Sequence, residues 1–235
     1  MTFSESFKEA NWKAQVQTVE SFEPKTIHAL KGMFAQQMRE AITNLEAGRR
    51  DKIIDVSKAR ADYINVIRPH LVQAMTTAAV NAHNLVKPKN PHKGLLEFLS
   101  AWAASWLNIR IAQSANQVTS TTSDALRAII DAGFANGDSI PTISAKLQDT
   151  FPDMSDYRAE MTARTEIQAV ANQGTLEGYW GSGVVDKVEF YTALGDEGVC
   201  SYCAEYHGQQ FNKGEEMPIP LHPNCRCAWL PIVDD

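Results

Sequence analysis

The spacing of apolar residues along the first half of the chain predicts long helices. Between Pro24 and Glu46, apolar side chains recur at steps of three and four residues, which places them on one stripe of a helix. Pro24 suits the first turn of that helix, because a proline there costs no hydrogen bond. A second stripe runs from Lys52 to about Asn84, and Pro69 inside it is expected to kink or break the helix.

The third apolar stripe is rich in aromatic residues. It extends over about residues 95–114 and includes Trp102, Trp106 and Ile109. Because large aromatic side chains bury much apolar area, we interpret this stripe as core or as a helix–helix interface. The next segment, Gln117–Ser123, is polar and rich in Ser and Thr. It is typical of a connection that supplies helix N-caps.

After this polar segment the spacing predicts three more helices. We expect loops between them, with Gly137 ending the first and Gly183 ending the last. The three predicted helices span Asp124–Phe134, Ser139–Leu147 and Ser155–Tyr179.

Beyond Gly183 a two-residue alternation replaces the helical spacing. Residues 184–192 are predicted to form a strand, residues 208–211 a short partner, and residues 225–233 a third strand. Three prolines in residues 217–223 indicate an ordered extended loop. The sequence therefore predicts an α+β fold, with a mainly helical N-terminal half followed by a small α+β module.

Composition and charge refine this division. Hydrophobic residues make up 44% of the chain and charged residues 21%, which predicts a globular protein rather than a disordered one. Residues 1–115 carry 15 Lys and Arg against 10 Asp and Glu, whereas residues 116–235 carry 7 against 18. We therefore predict two domains, a mildly basic helical region over 1–115 and an acidic module over 116–235. The acidic module is expected to fold by itself from about residue 120.

The chain shows no pattern for membrane insertion or secretion. No stretch reaches about 18 consecutive apolar residues, the length that a membrane-spanning helix needs. Residues 1–13 mix acidic, basic and polar side chains and lack the apolar core of a signal peptide. We expect a protein that folds in a reducing cytoplasm and has no membrane partner.

The cysteines are confined to one short region. All 4 lie between positions 200 and 227, as Cys200-x-x-Cys203 and Cys225-x-Cys227, and His222 precedes Cys225 by three residues. Zinc is commonly held by Cys and His from two such short corners, so the sequence predicts a structural zinc ion. The fourth ligand beside Cys200, Cys203 and Cys225 is either His222 or Cys227. The alternative is a cluster of reduced cysteines without metal.

Short motifs in a fixed order extend over about residues 120–233. They begin with Ala163–Glu166 in a predicted helix and end with His222–Cys227, which reads His-Pro-Asn-Cys-Arg-Cys. This series resembles the phage Mu F-like head morphogenesis domain, the family of minor head proteins of tailed phages. The other members of the series are Asn172–Gly174, Gly183–Val184, Lys187–Phe190, Asp196, Cys200, Cys203, Gly208 and Phe211.

The resemblance implies a function that the residue patterns alone do not. It implies a minor head protein, present in few copies near the portal, that acts in procapsid assembly, DNA packaging or DNA delivery. The implied partners are the portal protein, with the scaffold, the major capsid protein and packaged DNA as further candidates. The implied location is the portal vertex of the virion, after assembly in the host cytoplasm. At the matching positions it marks structural motif residues and no catalytic ones: Arg164, Thr165, Glu166, Asp196, Asn224 and Arg226.

An enzyme is the first alternative. Toxin-type ADP-ribosyltransferases use an Arg and a Glu, but Arg164 and Glu166 lie two apart in a helix and face different sides. We expect one of them to form an ion pair or to cap a loop that folds back from the cysteine region. A nuclease would combine His222 and Asn224 with a second shell of histidine or carboxylate side chains for a hydrolytic metal, for which Asp196 and Glu205 are candidates. Without a phosphate-binding loop motif, the chain is not a packaging ATPase.

Non-specific DNA binding is the second alternative. It would use clusters of basic residues whose phosphate contacts weaken as salt rises. Nearby aspartates dilute these clusters, so a solvated helix face is the favoured interpretation. The clusters contain Arg49, Arg50, Lys52, Lys58, Arg60, Lys87, Lys89 and Lys93.

Overall fold

The computed structural model describes residues 5–86, 101–192 and 199–233. It confirms the predicted α+β fold, because long helices fill the N-terminal half and a small sheet follows them. A single 3-10 turn, Arg50–Lys52, joins the first two helices. The elements in chain order are α1 (Glu5–Glu46), α2 (Val56–Leu85), α3 (Ala101–Ala135), α4 (Ile140–Ser182), β1 (Lys187–Tyr191), α5 (Ser201–Ala204), β2 (Gln210–Asn212) and β3 (Ala228–Ile232).

Helix α1 begins well before its predicted start at Pro24, which lies inside the helix. The prediction was wrong because the buried face of the first turns is polar. Asn11, Gln15 and Thr18 are buried at steps of four and three residues. A stripe of polar residues does not appear in a search for apolar periodicity, although the spacing is the same.

Helix α2 continues through Pro69, so the predicted break is wrong. The predicted stripe is buried on both sides of the proline, at Ile67 and Leu71. Burying these two side chains contributes a few kcal/mol. That is comparable with the roughly 3 kcal/mol that an internal proline costs.

Helix α3 has no break at the polar segment Gln117–Ser123, and the predicted helix start at Asp124 is therefore wrong. Thr122 and Ser123 are buried in this helix. The hydroxyl of Thr122 donates to the carbonyl of Val118, 2.7 Å away. Bonding within the helix satisfies the hydroxyl, so a polar residue can face the interior.

The aromatic stripe of α3 is not the core. Trp102 is 60% exposed and Ile109 is 56% exposed, which contradicts the expectation that they are buried. The buried positions are instead Ala103, Leu107 and Ile111, four residues apart. Both stripes have helical spacing, and this helix buries the one with the smaller side chains.

Helix α4 joins two segments that were predicted as separate helices and passes through Pro152. Its end was predicted correctly, since Gly183 adopts a positive φ of 70°. Gly137 does the same after α3, with φ of 76°. Glycine is favoured at both positions because a side chain disfavours this left-handed conformation.

The three strands form one antiparallel sheet in the order β2-β1-β3. Central strand β1 pairs Val188 with Phe211 of β2 and with Pro231 of β3. Each predicted strand is present but shorter than expected. In particular, Cys225 and Cys227 precede β3 rather than belonging to it.

The chain forms two compact units, each assembled from separate segments. Unit 1 takes its described residues from Met1–Pro24, His70–Leu107 and Met161–Asp235. Unit 2 is formed by Lys25–Pro69 and Asn108–Glu160. The predicted domain boundary at 115/116 falls inside α3. That residues 1–115 and 116–235 have different functions stays a prediction. Within the described part of the chain, no helix combines the length and apolarity that a membrane crossing requires.

The core of unit 1 combines the sheet with the cysteine region. Trp229 of β3 is fully buried and makes edge-to-face contacts with Phe190 of β1 and Phe211 of β2. Cys203 belongs to the same apolar cluster, as does Tyr179 of α4. The remaining buried members are Ala82, Val86, Leu176, Val185, Val188, Ile219, Cys225 and Cys227.

In unit 1, helix α4 approaches the backbone of α2 at two glycines one turn apart. A Cβ atom on Gly174 would lie 2.1 Å from the carbonyl oxygen of Met75. A Cβ atom on Gly178 would lie 2.1 Å from the carbonyl oxygen of Ala79. Only glycine permits this close packing, which makes the last turns of α2 part of the unit that holds the cysteines.

Unit 2 is a helical core of its own. Phe34 is fully buried, and the hydroxyls of Tyr63 and Ser114 form a buried hydrogen bond. The guanidinium of Arg50 lies 3.7 Å above the ring of Phe134. This contact brings the α1–α2 turn against the end of α3.

Candidate metal centre

The first corner of the site is built by the short helix α5. Cys200 caps this helix, and its sulfur accepts a 3.3 Å hydrogen bond from the backbone N–H of Cys203. The carbonyl of Cys200 also accepts the N–H of Ala204. The Cys-x-x-Cys segment is thereby held in a turn that points both sulfurs the same way.

The second corner is a tight turn anchored on helix α4. The N–H of Cys225 donates to the carbonyl of His222, and Asn224 takes a left-handed φ of 62°. The N–H of Asn224 donates to the hydroxyl oxygen of Thr165, 3.3 Å away. Thr165 in turn donates to the carbonyl of Met161. The predicted motif residue Thr165 therefore fixes the turn that carries His222 and Cys225.

The two corners bring all five predicted ligand residues together. The Nε2 atom of His222 lies 3.2 Å from the sulfur of Cys200 and 3.1 Å from that of Cys203. The sulfurs of Cys203 and Cys225 are 3.9 Å apart. Potential ligand atoms form two groups, each within 4.8 Å: Cys200, Cys203 and His222, and Cys203, Cys225 and Cys227. Cys203 is common to both groups.

This donor set fits zinc. Two sulfurs bound to one tetrahedral zinc ion at about 2.3 Å lie about 3.8 Å apart, close to the observed Cys203–Cys225 separation. The Nδ1 atom of His222 lies 2.8 Å from the carbonyl of Pro223, which can only accept a hydrogen bond. Nδ1 is therefore oriented to donate to this carbonyl, and Nε2 is the ring nitrogen that faces the sulfurs, which is the arrangement of metal-binding histidines. Both groups could hold a metal ion.

Hydrogen bonding and burial separate the acidities of the thiols. A hydrogen bond from Cys227 is the main cause that lowers the pKa of Cys225 to about 5. Burial is the main cause that raises the pKa of Cys203 to about 12. The pKa of Cys227 is raised, first by its hydrogen bond to Cys225 and then by burial. Without a cation the cluster favours a thiolate at Cys225, and a bound cation would favour deprotonation of the others.

Side-chain amides hold the strand that follows the second corner. Asn172 donates to the carbonyl of Cys227 at 3.1 Å and accepts the N–H of Trp229 at 3.2 Å. Gln168 donates to the same Cys227 carbonyl at 2.7 Å. Gln15 of α1 donates to the carbonyl of Trp229 at 2.7 Å. These amides take the place of a neighbouring strand along the outer edge of β3.

Few features of the sequence indicate this arrangement. Asn172 belongs to the motif series, but Gln168 and Gln15 were not identified as site residues. All three are polar and buried, so neither hydrophobicity nor charge marks them. Gln168 and Asn172 lie one turn apart on α4, and this spacing is the feature of the sequence that could have identified them as a pair. It identifies them only when the buried face of the helix is already known.

The other motif residues are not among the candidate ligands of the knuckle, which is the segment Cys200–Cys227 with its two corners. Arg164 donates to a carboxylate oxygen of Glu23 at 3.0 Å, and this ion pair is partly buried. Glu166 is buried, whereas Arg226 is exposed. Asp196 lies outside the described residues, so the structure does not show its relation to Asn224.

The basic clusters are partly neutralised. Lys58 contacts carboxylate oxygens of Glu40 and Asp62, both at 2.7 Å. These ion pairs raise the pKa of Lys58 to about 12, with the hydrogen bond to Asp62 as the largest cause. Three other basic residues of these clusters lie outside the described residues: Lys87, Lys89 and Lys93.

Part of the chain, including the cysteine region, matches a known protein family. Residues 124–230 match the family model described as Phage Mu protein F like protein. This segment, somewhat under half of the chain, belongs to the phage Mu F-like head morphogenesis family. The match is to a family of phage proteins, and it supports a role in phage head morphogenesis. No curated protein and no solved structure matches it.

Proposed function

We propose that this chain is a minor head protein that acts at the portal vertex, in procapsid assembly, DNA packaging or DNA delivery. The observation that carries the proposal is the family match over residues 124–230, which spans the cysteine knuckle. The portal protein is the proposed main partner, with the scaffold and the major capsid protein as further contacts. The protein would enter the head during assembly in the host cytoplasm.

The experiment is co-expression of the full chain with the portal and major capsid proteins of the same phage. We expect the chain to sediment with assembled heads and to co-purify with tagged portal in their absence. A matched control is the same purification with untagged portal. Absence of the chain from purified heads would contradict the proposal.

We propose that the knuckle binds one structural zinc ion through Cys200, Cys203, His222 and Cys225. The support is the orientation of His222, whose Nδ1 faces the carbonyl of Pro223 and whose Nε2 faces the sulfurs of Cys200 and Cys203. Cys203 and Cys225 belong to the apolar cluster of unit 1. Metal ligation would therefore link the two corners through the core, and removal of zinc should destabilise unit 1.

This proposal predicts about one zinc per chain in reduced protein, as measured by elemental analysis. Chelation should lower the melting temperature, and readdition of zinc should restore it. Cys203→Ser should lose the metal, whereas Ser201→Ala, an exposed change on the same helix, should keep it. A reduced wild-type chain that binds no stoichiometric zinc would refute the proposal.

We further propose that the site is structural and has no catalytic turnover. Arg164 is engaged by Glu23, and Asn224 holds a backbone hydrogen bond to Thr165, both of which fit a scaffolding role. Full-length protein incubated with DNA and Mg²⁺ or Mn²⁺, or with NAD⁺ and acceptor proteins, should leave them unchanged. A nuclease or ADP-ribosyl transfer activity that Glu166→Gln abolishes in a folded protein would overturn this.

A further inference from the structure

We infer that Cys227 is a reserve ligand of the metal centre, which takes the fourth position when His222 leaves it. The inference rests on the proposed structural zinc. A tetrahedral zinc ion uses four ligands, but five candidate ligand residues meet in this knuckle. With Cys200, Cys203, His222 and Cys225 as ligands, one buried thiol remains beside them.

Cys227 lies where a replacement ligand has to be. Its sulfur is within 4.8 Å of the sulfurs of both Cys203 and Cys225. Cys203 also belongs to the group with Cys200 and His222. The sulfur of Cys203 is thus common to both groups, which contain His222 in one case and Cys227 in the other.

The backbone of Cys227 is fixed independently of the metal. Its carbonyl accepts hydrogen bonds from Gln168 and Asn172, and the strand that follows is paired with β1. His222 is held differently, in a loop whose turn bonds back to Thr165 through Asn224. Rotation of the His222 side chain away from the metal would therefore leave Cys227 in position.

The exchange requires no change of oxidation state. Cys227 would hold the metal in place of Nε2 of His222, and its thiol would give its proton to solvent. The site changes from three sulfurs and one nitrogen to four sulfurs. Both sets are ordinary for structural zinc, so the knuckle stays closed.

The test compares zinc content and cobalt spectra of full-length variants. His222→Ala should keep about one zinc per chain, with affinity in chelator competition lowered by about 10- to 100-fold. Cys227→Ser should keep zinc at nearly wild-type affinity. The double variant should lose stoichiometric zinc, because it has neither alternative.

Cobalt reports which atoms bind. Sulfur-to-cobalt charge-transfer absorption should be stronger in His222→Ala than in wild type, since a fourth thiolate has joined. It should be unchanged in Cys227→Ser. His222→Gln serves as a second variant that preserves side-chain bulk in the loop, and it should behave like His222→Ala.

The outcomes separate this inference from the zinc proposal. Wild-type protein without zinc would defeat the proposed metal centre itself. Wild-type protein with zinc, but His222→Ala and His222→Gln without it, would overturn the reserve-ligand inference alone. Failure of both variants to fold in excess zinc would count equally against it, because the reserve ligand should sustain the fold.

Discussion

At the scale of single residues, the site is organised by uncharged side chains that bond to the backbone. Thr165 accepts the N–H of Asn224, and Asn172 bonds to both Cys227 and Trp229. The cysteine spacing alone predicted which residues meet. It did not predict what holds them, because buried amides and hydroxyls have neither the hydrophobicity nor the charge that marks a functional or core position in a sequence.

Asn172→Ala should destabilise the protein by about 2–4 kcal/mol. The change leaves the buried N–H of Trp229 without its acceptor and removes one donor from the carbonyl of Cys227. Urea denaturation of the zinc-loaded full chain would measure the loss. Gln173→Ala, the neighbouring position on the same helix, is the matched control and should have little effect.

Thr165→Val should cost about 1 kcal/mol, because the N–H of Asn224 loses its acceptor while side-chain shape is preserved. Thr165→Ser should restore most of the stability, since it keeps the hydroxyl. Thermal unfolding of both variants checks the hydrogen bond. Equal stability of the Val and Ser variants would show that the contact with Asn224 contributes nothing.

At the scale of elements, periodicity predicted helices well and their buried faces less well. The apolar stripe predicted for α2 is the face that the helix buries, and Gly137 and Gly183 end helices as expected. In α3 two stripes share the helical period, and the aromatic one is exposed at Trp102 and Ile109. Which of the two stripes is buried depends on how closely the neighbouring helices approach. A single sequence does not reveal that distance.

That close approach is testable at the glycines of α4. Gly174→Ala and Gly178→Ala should each destabilise the protein by about 3 kcal/mol or more, because the new methyl group would lie 2.1 Å from a carbonyl oxygen of α2. Gly32→Ala is the control, since nothing lies within 4 Å of its Cβ position in α1. That change should stabilise the chain by about 1 kcal/mol. Urea denaturation of the three variants distinguishes packing from helix propensity.

At the scale of the whole molecule, the cysteine region depends on residues far before it in the chain. Lys8 of α1 pairs with Glu189 of β1 at 2.7 Å, and Tyr179 donates to Asn11 at 3.0 Å. The family match begins at residue 124, yet unit 1 also takes segments from α1 and α2. These contacts argue against the expectation that the acidic module folds by itself from about residue 120.

We therefore predict that a fragment beginning at Val118 will not fold cooperatively, even with zinc. It lacks the segments of α1 and α2 that belong to unit 1, including Gln15, which donates to the carbonyl of Trp229, and the turns of α2 that pack on Gly174 and Gly178. In the fragment, the apolar and polar groups of the sheet and of α4 that these segments of α1 and α2 cover would be exposed to solvent. The full chain is the control, compared by near-ultraviolet circular dichroism, urea denaturation and the cobalt spectrum. A fragment with a sharp urea transition and the cobalt spectrum of the full chain would show that residues 118–235 suffice for the fold.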